Sequence, residues 1–112
     1  MHCEAEKAED TVWRQIVSLY DLLSRVQPSP VVSLNRAVAV AMADGPQAAL
    51  PLVDELEEHL YGYHLLYAVR ADFLRRIGLA REAAKNYERA LTLATNDSER
   101  RFLERRLGEL ST

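Results

Sequence analysis

Small residues recur thirty-four positions apart in this chain, and they do so in phase with helix-breaking turns. Ala37 is followed by Ala71, and Ala49 by Ala83. A fixed period of this length is the mark of stacked helix pairs, because one pair cannot bury its own apolar face and needs a neighbour like itself. Small side chains at matching positions are where paired helices approach closely. No stretch alternates apolar and polar residues at period two, so no strands are predicted.

Six helices can be read between the turns. The first is expected from about Thr11 to Val26, with Asp10 as its N-cap. Its apolar residues leave only a narrow polar stripe of Arg14, Ser18, Asp21 and Arg25, so it needs neighbours on two sides. Pro28-Ser29-Pro30 ends it and starts the second, with Ser29 as N-cap and Pro30 as first helical residue. That helix runs to about Ala43. It is nearly all small and apolar and should be the most buried. Asp44-Gly45-Pro46 turns the chain into a third helix, to about His59. Pro51 cannot donate to the carbonyl of Gln47, so a kink or a late start at Pro51 is expected. The fourth helix spans about Tyr63 to Ile77, with Gly78 closing it. The fifth covers Ala80 to about Ala94 and the sixth Asp97 to Leu110, where Asn96 and Glu99 form a capping box.

In the second copy the frame reads Tyr67, Ala71, Leu74, Gly78, Ala83, Tyr87, Ala90, Leu91. It closely resembles the tetratricopeptide repeat: a small residue in the first helix, Gly at the turn, then Ala-x-x-x-Tyr-x-x-Ala. The proline usual after the second helix is absent, and Arg70 replaces the usual large apolar residue. The first copy, about 30–63, is degenerate, with Val53 and Leu56 where Tyr87 and Ala90 stand. The expected fold is therefore all-α: antiparallel helix pairs in a tetratricopeptide-like right-handed superhelix of about six helices. One domain is expected over residues 1–112, with repeats near 30–63 and 64–97 flanked by single helices.

Composition limits the function classes. The chain has 112 residues, 48% apolar and 28% charged, with net charge −3, which suits one soluble globular domain. The negative balance argues against direct nucleic-acid binding, which needs a basic face. Residues 1–56 carry net −4 and residues 57–112 net +1, and the pairs Arg75-Arg76, Arg100-Arg101 and Arg105-Arg106 are interleaved with acids. There is no long apolar run for a membrane, and the acidic N-terminal residues are not expected to form a secretory leader. A single cysteine, Cys3, fits a reducing cytoplasm.

Motifs for chemistry are missing. There is no Ser/His/Asp or Cys/His arrangement, no Gly-rich phosphate loop, no HExxH and no CxxC. No catalytic residue, metal or cofactor is expected. His2-Cys3, the His59 and His64 pair and Glu57-Glu58 read as terminal, structural or surface groups. Polar residues on otherwise apolar helices are more informative. Asn35 and Arg36 interrupt the second helix; Asp72, Arg75 and Arg76 sit on the fourth, with Asp72 and Arg76 spaced to pair on one face. Projecting the repeat frame puts Leu34, Asn35, Val38 and Ala41 in a groove with Leu65, Ala68, Val69, Asp72, Arg75 and Arg76. Asn35, Arg36, Asp72, Arg75 and Arg76 are the candidate partner-binding residues.

Several strings together resemble one family. They are Ala8-Glu9-Asp10-Thr11-Val12-Trp13-Arg14-Gln15-Ile16, Tyr20-Asp21-Leu22-Leu23, and Pro28-Ser29-Pro30-Val31-Val32-Ser33-Leu34-Asn35-Arg36-Ala37-Val38-Ala39-Val40-Ala41. With them go Gly62-Tyr63-His64-Leu65-Leu66-Tyr67-Ala68, Arg70-Ala71-Asp72, Arg75-Arg76-Ile77-Gly78 and the run from Asn96 to Leu107. They are similar to the C-terminal tetratricopeptide-like extension of a group of bacterial extracytoplasmic-function RNA polymerase sigma factors, of the sigma-70 family, over about residues 2–110. Val12, where that family tends to have an acidic or polar residue, and Pro51 depart from the pattern. The resemblance implies a cytoplasmic, non-enzymatic interaction domain, in a protein whose promoter-reading and polymerase-binding domains precede it. Its implied partners are those sigma domains, core polymerase or a regulatory protein. A small-molecule-sensing helical domain is the alternative, and an oligomerisation module, with a second copy as partner, is another.

Overall fold

A computed structural model describes residues 4–110, with side chains from Glu9 onward. Six helices follow one another, and no strand occurs among the described residues: α1 (Glu4–Val26), α2 (Pro30–Asp44), α3 (Pro46–Leu60), α4 (His64–Ile77), α5 (Ala80–Leu93) and α6 (Asp97–Leu110). The chain divides into two compact units, residues 1–59 and 60–112.

In the first unit α1 packs on α2. Two ion pairs set its rotation. Arg14 Nη2 reaches Asp44 Oδ1 at 2.8 Å, and Arg36 Nε reaches Asp21 Oδ1 at 2.6 Å. Arg14 and Asp21 are two turns apart and so lie on one side of α1. These pairs are half-exposed and act as register marks more than as sources of stability. α2 is the buried helix its composition predicts, with Leu34, Ala37, Ala39, Val40 and Ala41 all buried. Pro30 occupies its first turn. Ser29 stands at the N-cap in extended backbone, but its side chain caps nothing; only its carbonyl engages, accepting from Ser33 N–H at 3.0 Å.

Two expected boundaries are corrected. α1 begins at Glu4, so Asp10 is interior and does not cap. α3 begins at Pro46 and continues through Pro51, so the late start is not adopted. Pro51 is exposed, which lets the carbonyl it leaves unmatched reach water. Ahead of α3, Gly45 takes φ 95°, a conformation that suits glycine, and its N–H returns to Ala41 O.

In the second unit α4 packs on α5 across the two-residue link Gly78-Leu79, and α5 packs on α6. Gly78 is left-handed, with φ 99°; its N–H bonds to Arg75 O and that of Leu79 to Leu74 O. These two bonds close the last turn of α4 in the Schellman manner. The core holds Leu66, Phe73, Tyr87 and Leu103, with Ala71, Ala83 and Ala90 wholly inaccessible among them. Ala37, Ala49 and Val53 in the first unit, thirty-four residues earlier than Ala71, Ala83 and Tyr87, are also wholly inaccessible.

Candidate functional site

The five candidate partner-binding residues separate into two groups. Asn35 is exposed on α2. Arg36, beside it, is held through Nε by Asp21 of α1 and also lines a cleft. On α4, Asp72 Oδ1 accepts from Arg75 Nη2 at 2.6 Å, and Asp72 Oδ2 from Arg76 Nη1 at 3.4 Å. Arg76 also lies 6.0 Å over the Phe73 ring.

Arg75 is partly buried at the contact of α4 with α5. Its guanidinium lies between Asp72 and the Tyr87 phenol of α5, and both hold its pKa above the ordinary value. Tyr87 is 1% exposed. Burial pushes its phenol up, while the nearby Arg75 charge pulls it down. Arg75 thus stands beside the α5 phenol while its side chain stays partly open to solvent, as those of Asp72 and Arg76 do.

The residues projected onto a groove differ in exposure within each unit. Leu34 and Ala41 are buried; Val38, Ala68 and Val69 are half-buried; Leu65 is exposed while its neighbour Leu66 is sealed. A different apolar surface is open. On α1, Val12, Leu19, Leu22, Leu23 and Val26 are 51, 64, 55, 42 and 84% exposed. Their spacing follows the 3.5-residue rhythm of a helix seam, and the ridge lies away from the side that Arg14 and Asp21 turn toward α2. Apolar residues aligned in this way on one helix mark an interaction surface more often than the same residues scattered singly.

A cleft of about 200 Å³ opens between α2 and α3, lined by Ser33, Arg36, Leu52, Glu55 and Leu56. It is an open cleft with charged walls, unlike the enclosed apolar cavity that a buried ligand requires. Sequence reasoning singled out Arg36 but missed the α3 residues that line the cleft with it, which lie sixteen or more positions away in the chain.

A polar hub joins the starts of two helices in the second unit. Glu99 N–H donates to Asn96 Oδ1 at 2.9 Å. Glu99 Oε2 accepts from Thr95 N–H at 3.0 Å, and Oε1 stands 3.1 Å from His64 Nε2. The Thr95 backbone bond and the His64 charge hold the Glu99 carboxyl below its ordinary value. The paired Asn96 and Glu99 signal a cap in the sequence; the reach to His64 leaves no local trace.

Among the described residues no three or more His, Cys, Asp or Glu side chains are gathered to hold a metal ion, and His2 and Cys3 lie outside those residues. No helix among the described residues is long and apolar enough to cross a membrane.

Comparison with known proteins finds an uncharacterized protein of Rhizobium meliloti (strain 1021), 46% identical over 111 residues. The match takes in 99% of this chain but 26% of that protein, so the chain spans about a quarter of its relative's length. No family model matches, and no solved structure matches.

Proposed function

We propose that the chain is the C-terminal tetratricopeptide-like domain of a bacterial extracytoplasmic-function sigma factor, working in the cytoplasm as a non-enzymatic docking module. The observation that carries this reading is the exposed ridge of α1. Five large apolar side chains in helical register cost solvent exposure unless something covers them. The resemblance carried by the residue strings from Ala8 to Leu107 implies the partner class: the sigma domains of the same protein, core polymerase or a regulator. A chain that aligns end to end with about a quarter of a longer relative is what one domain of a multidomain protein gives. The superhelical reading rests on the thirty-four-residue frame, whose small positions Ala37, Ala49, Ala71 and Ala83 are all inaccessible.

The test is a binding measurement between the chain, the purified sigma domains of the protein that carries it, and bacterial core polymerase. Association with either, lost on replacing Leu19 and Leu22 by Ser, supports the reading. Failure to associate with both removes it, and self-association through the same ridge would replace it with an oligomerisation module.

A further inference from the structure

The cleft between α2 and α3 carries opposite charges that do not meet. Arg36 uses Nε on Asp21, and its terminal guanidinium nitrogens take no further partner among the described residues. Glu55 is exposed, and its carboxylate likewise forms no bond or ion pair among the described residues. Both line the same cleft of about 200 Å³, yet they do not close on each other. The Ser33 hydroxyl stands one turn from Arg36 on α2 and is also without a hydrogen-bond partner among the described residues. Leu52 and Leu56, four residues apart and half-buried on α3, supply an apolar wall.

We propose that this cleft binds a free aliphatic α-amino acid as its zwitterion. The carboxylate meets Arg36 and Ser33, the ammonium meets Glu55, and the side chain covers Leu52 and Leu56. A guanidinium whose terminal nitrogens are free matches a carboxylate by geometry as well as charge. A simple anion would meet repulsion from Glu55, and a simple cation repulsion from Arg36. A peptide backbone interior offers neither charge, and a peptide end offers only one. Room for about six or seven waters at ~30 Å³ each suits the nine non-hydrogen atoms of leucine. The inference goes beyond the docking reading and stands or falls without it.

The experiment is a titration of the ¹⁵N-labelled chain, followed through its amide resonances, with three probes. L-Leucine carries both charges, 4-methylpentanoate only the carboxylate, and 3-methylbutan-1-amine only the ammonium. Leucine is expected to give saturable shifts centred on Ser33, Arg36, Leu52, Glu55 and Leu56, with each half-molecule about tenfold weaker or worse. So open a site should bind in the millimolar range, and a titration to about 20 mM covers it. Glu55→Gln, an exposed change that leaves the Arg36–Asp21 pair intact, is expected to weaken leucine and strengthen 4-methylpentanoate. Absence of saturable shifts with leucine, half-molecules that bind as well as leucine, or a Glu55→Gln chain that behaves as the parent would each overturn the proposal.

Discussion

His64, the first residue of α4, stands 3.1 Å from the carboxylate of Glu99 in the first turn of α6. One carboxylate therefore serves both its own helix start and the start of a helix thirty-five residues earlier. Because hydrogen bonds and the His64 charge lower the Glu99 pKa in the folded chain, its contribution to stability is present above the unfolded value near 4.5 and is lost as pH falls through the folded value. Glu99→Gln should lower the melting temperature at pH 6, and the gap to the parent should close as pH is taken toward 3. Thermal unfolding of both proteins across that range checks it; a gap that does not change with pH would show the Glu99 charge to be unimportant.

Ala71 and Ala83 have no exposed surface, so added methylenes must displace their neighbours. Ala71→Leu should cost about 1–3 kcal/mol, read from urea unfolding. A neutral result would mean that the helices at this position yield without strain.

Arg75 and Arg76 are adjacent in sequence and unequal in role. Arg75→Glu sets a carboxylate against Asp72 and removes the cation beside the buried Tyr87 phenol, for an expected loss of about 1–2 kcal/mol. Arg76→Glu should stay within about 0.5 kcal/mol, as surface changes do. Equal effects on the unfolding midpoint would contradict the placement of Arg75 between α4 and α5.

The ridge of α1 separates binding from folding. Replacing both Leu19 and Leu22 by Ser should leave helix content and melting temperature nearly unchanged, since both are more than half exposed. If the proposed docking holds, affinity for the partner should fall about tenfold or more, because central apolar anchors carry most interface energy. Duplex DNA should bind neither form with sub-micromolar, salt-sensitive affinity, given a net charge of −3.

Much of the helical order is written locally. Pro30, Gly45, Gly78 and the Asn96–Glu99 cap are short-range instructions, and α2 and α6 begin where those residues say. The start of α1 was less legible. Glu4 to Asp10 lack apolar periodicity, and Asp10 is a good cap in isolation, yet Glu, Ala and Lys are strong helix formers that extend the helix upstream. Pro51 misleads for the opposite reason: a strong local breaker costs less on an exposed face, where water takes the orphaned carbonyl. At the candidate sites the sequence marks individual polar residues but not their companions. Arg36 stands out against its apolar helix, whereas Glu55 is one acid among several until α3 is laid beside α2. Arg75 reads as a surface charge until Tyr87 is brought under it.

The missing amide of Pro51 divides α3 in the kinetic sense. Between Gln47 and Pro51 one rung of the backbone ladder is absent, so the first turn and a half can open to solvent without unzipping the turns that follow. Amide exchange should be faster at Ala49 and Leu50 than at Val53 and Leu56, although all four lie in one continuous helix. Leu52, Glu55 and Leu56, which wall the cleft, lie beyond that break and keep their places when the beginning of the helix frays.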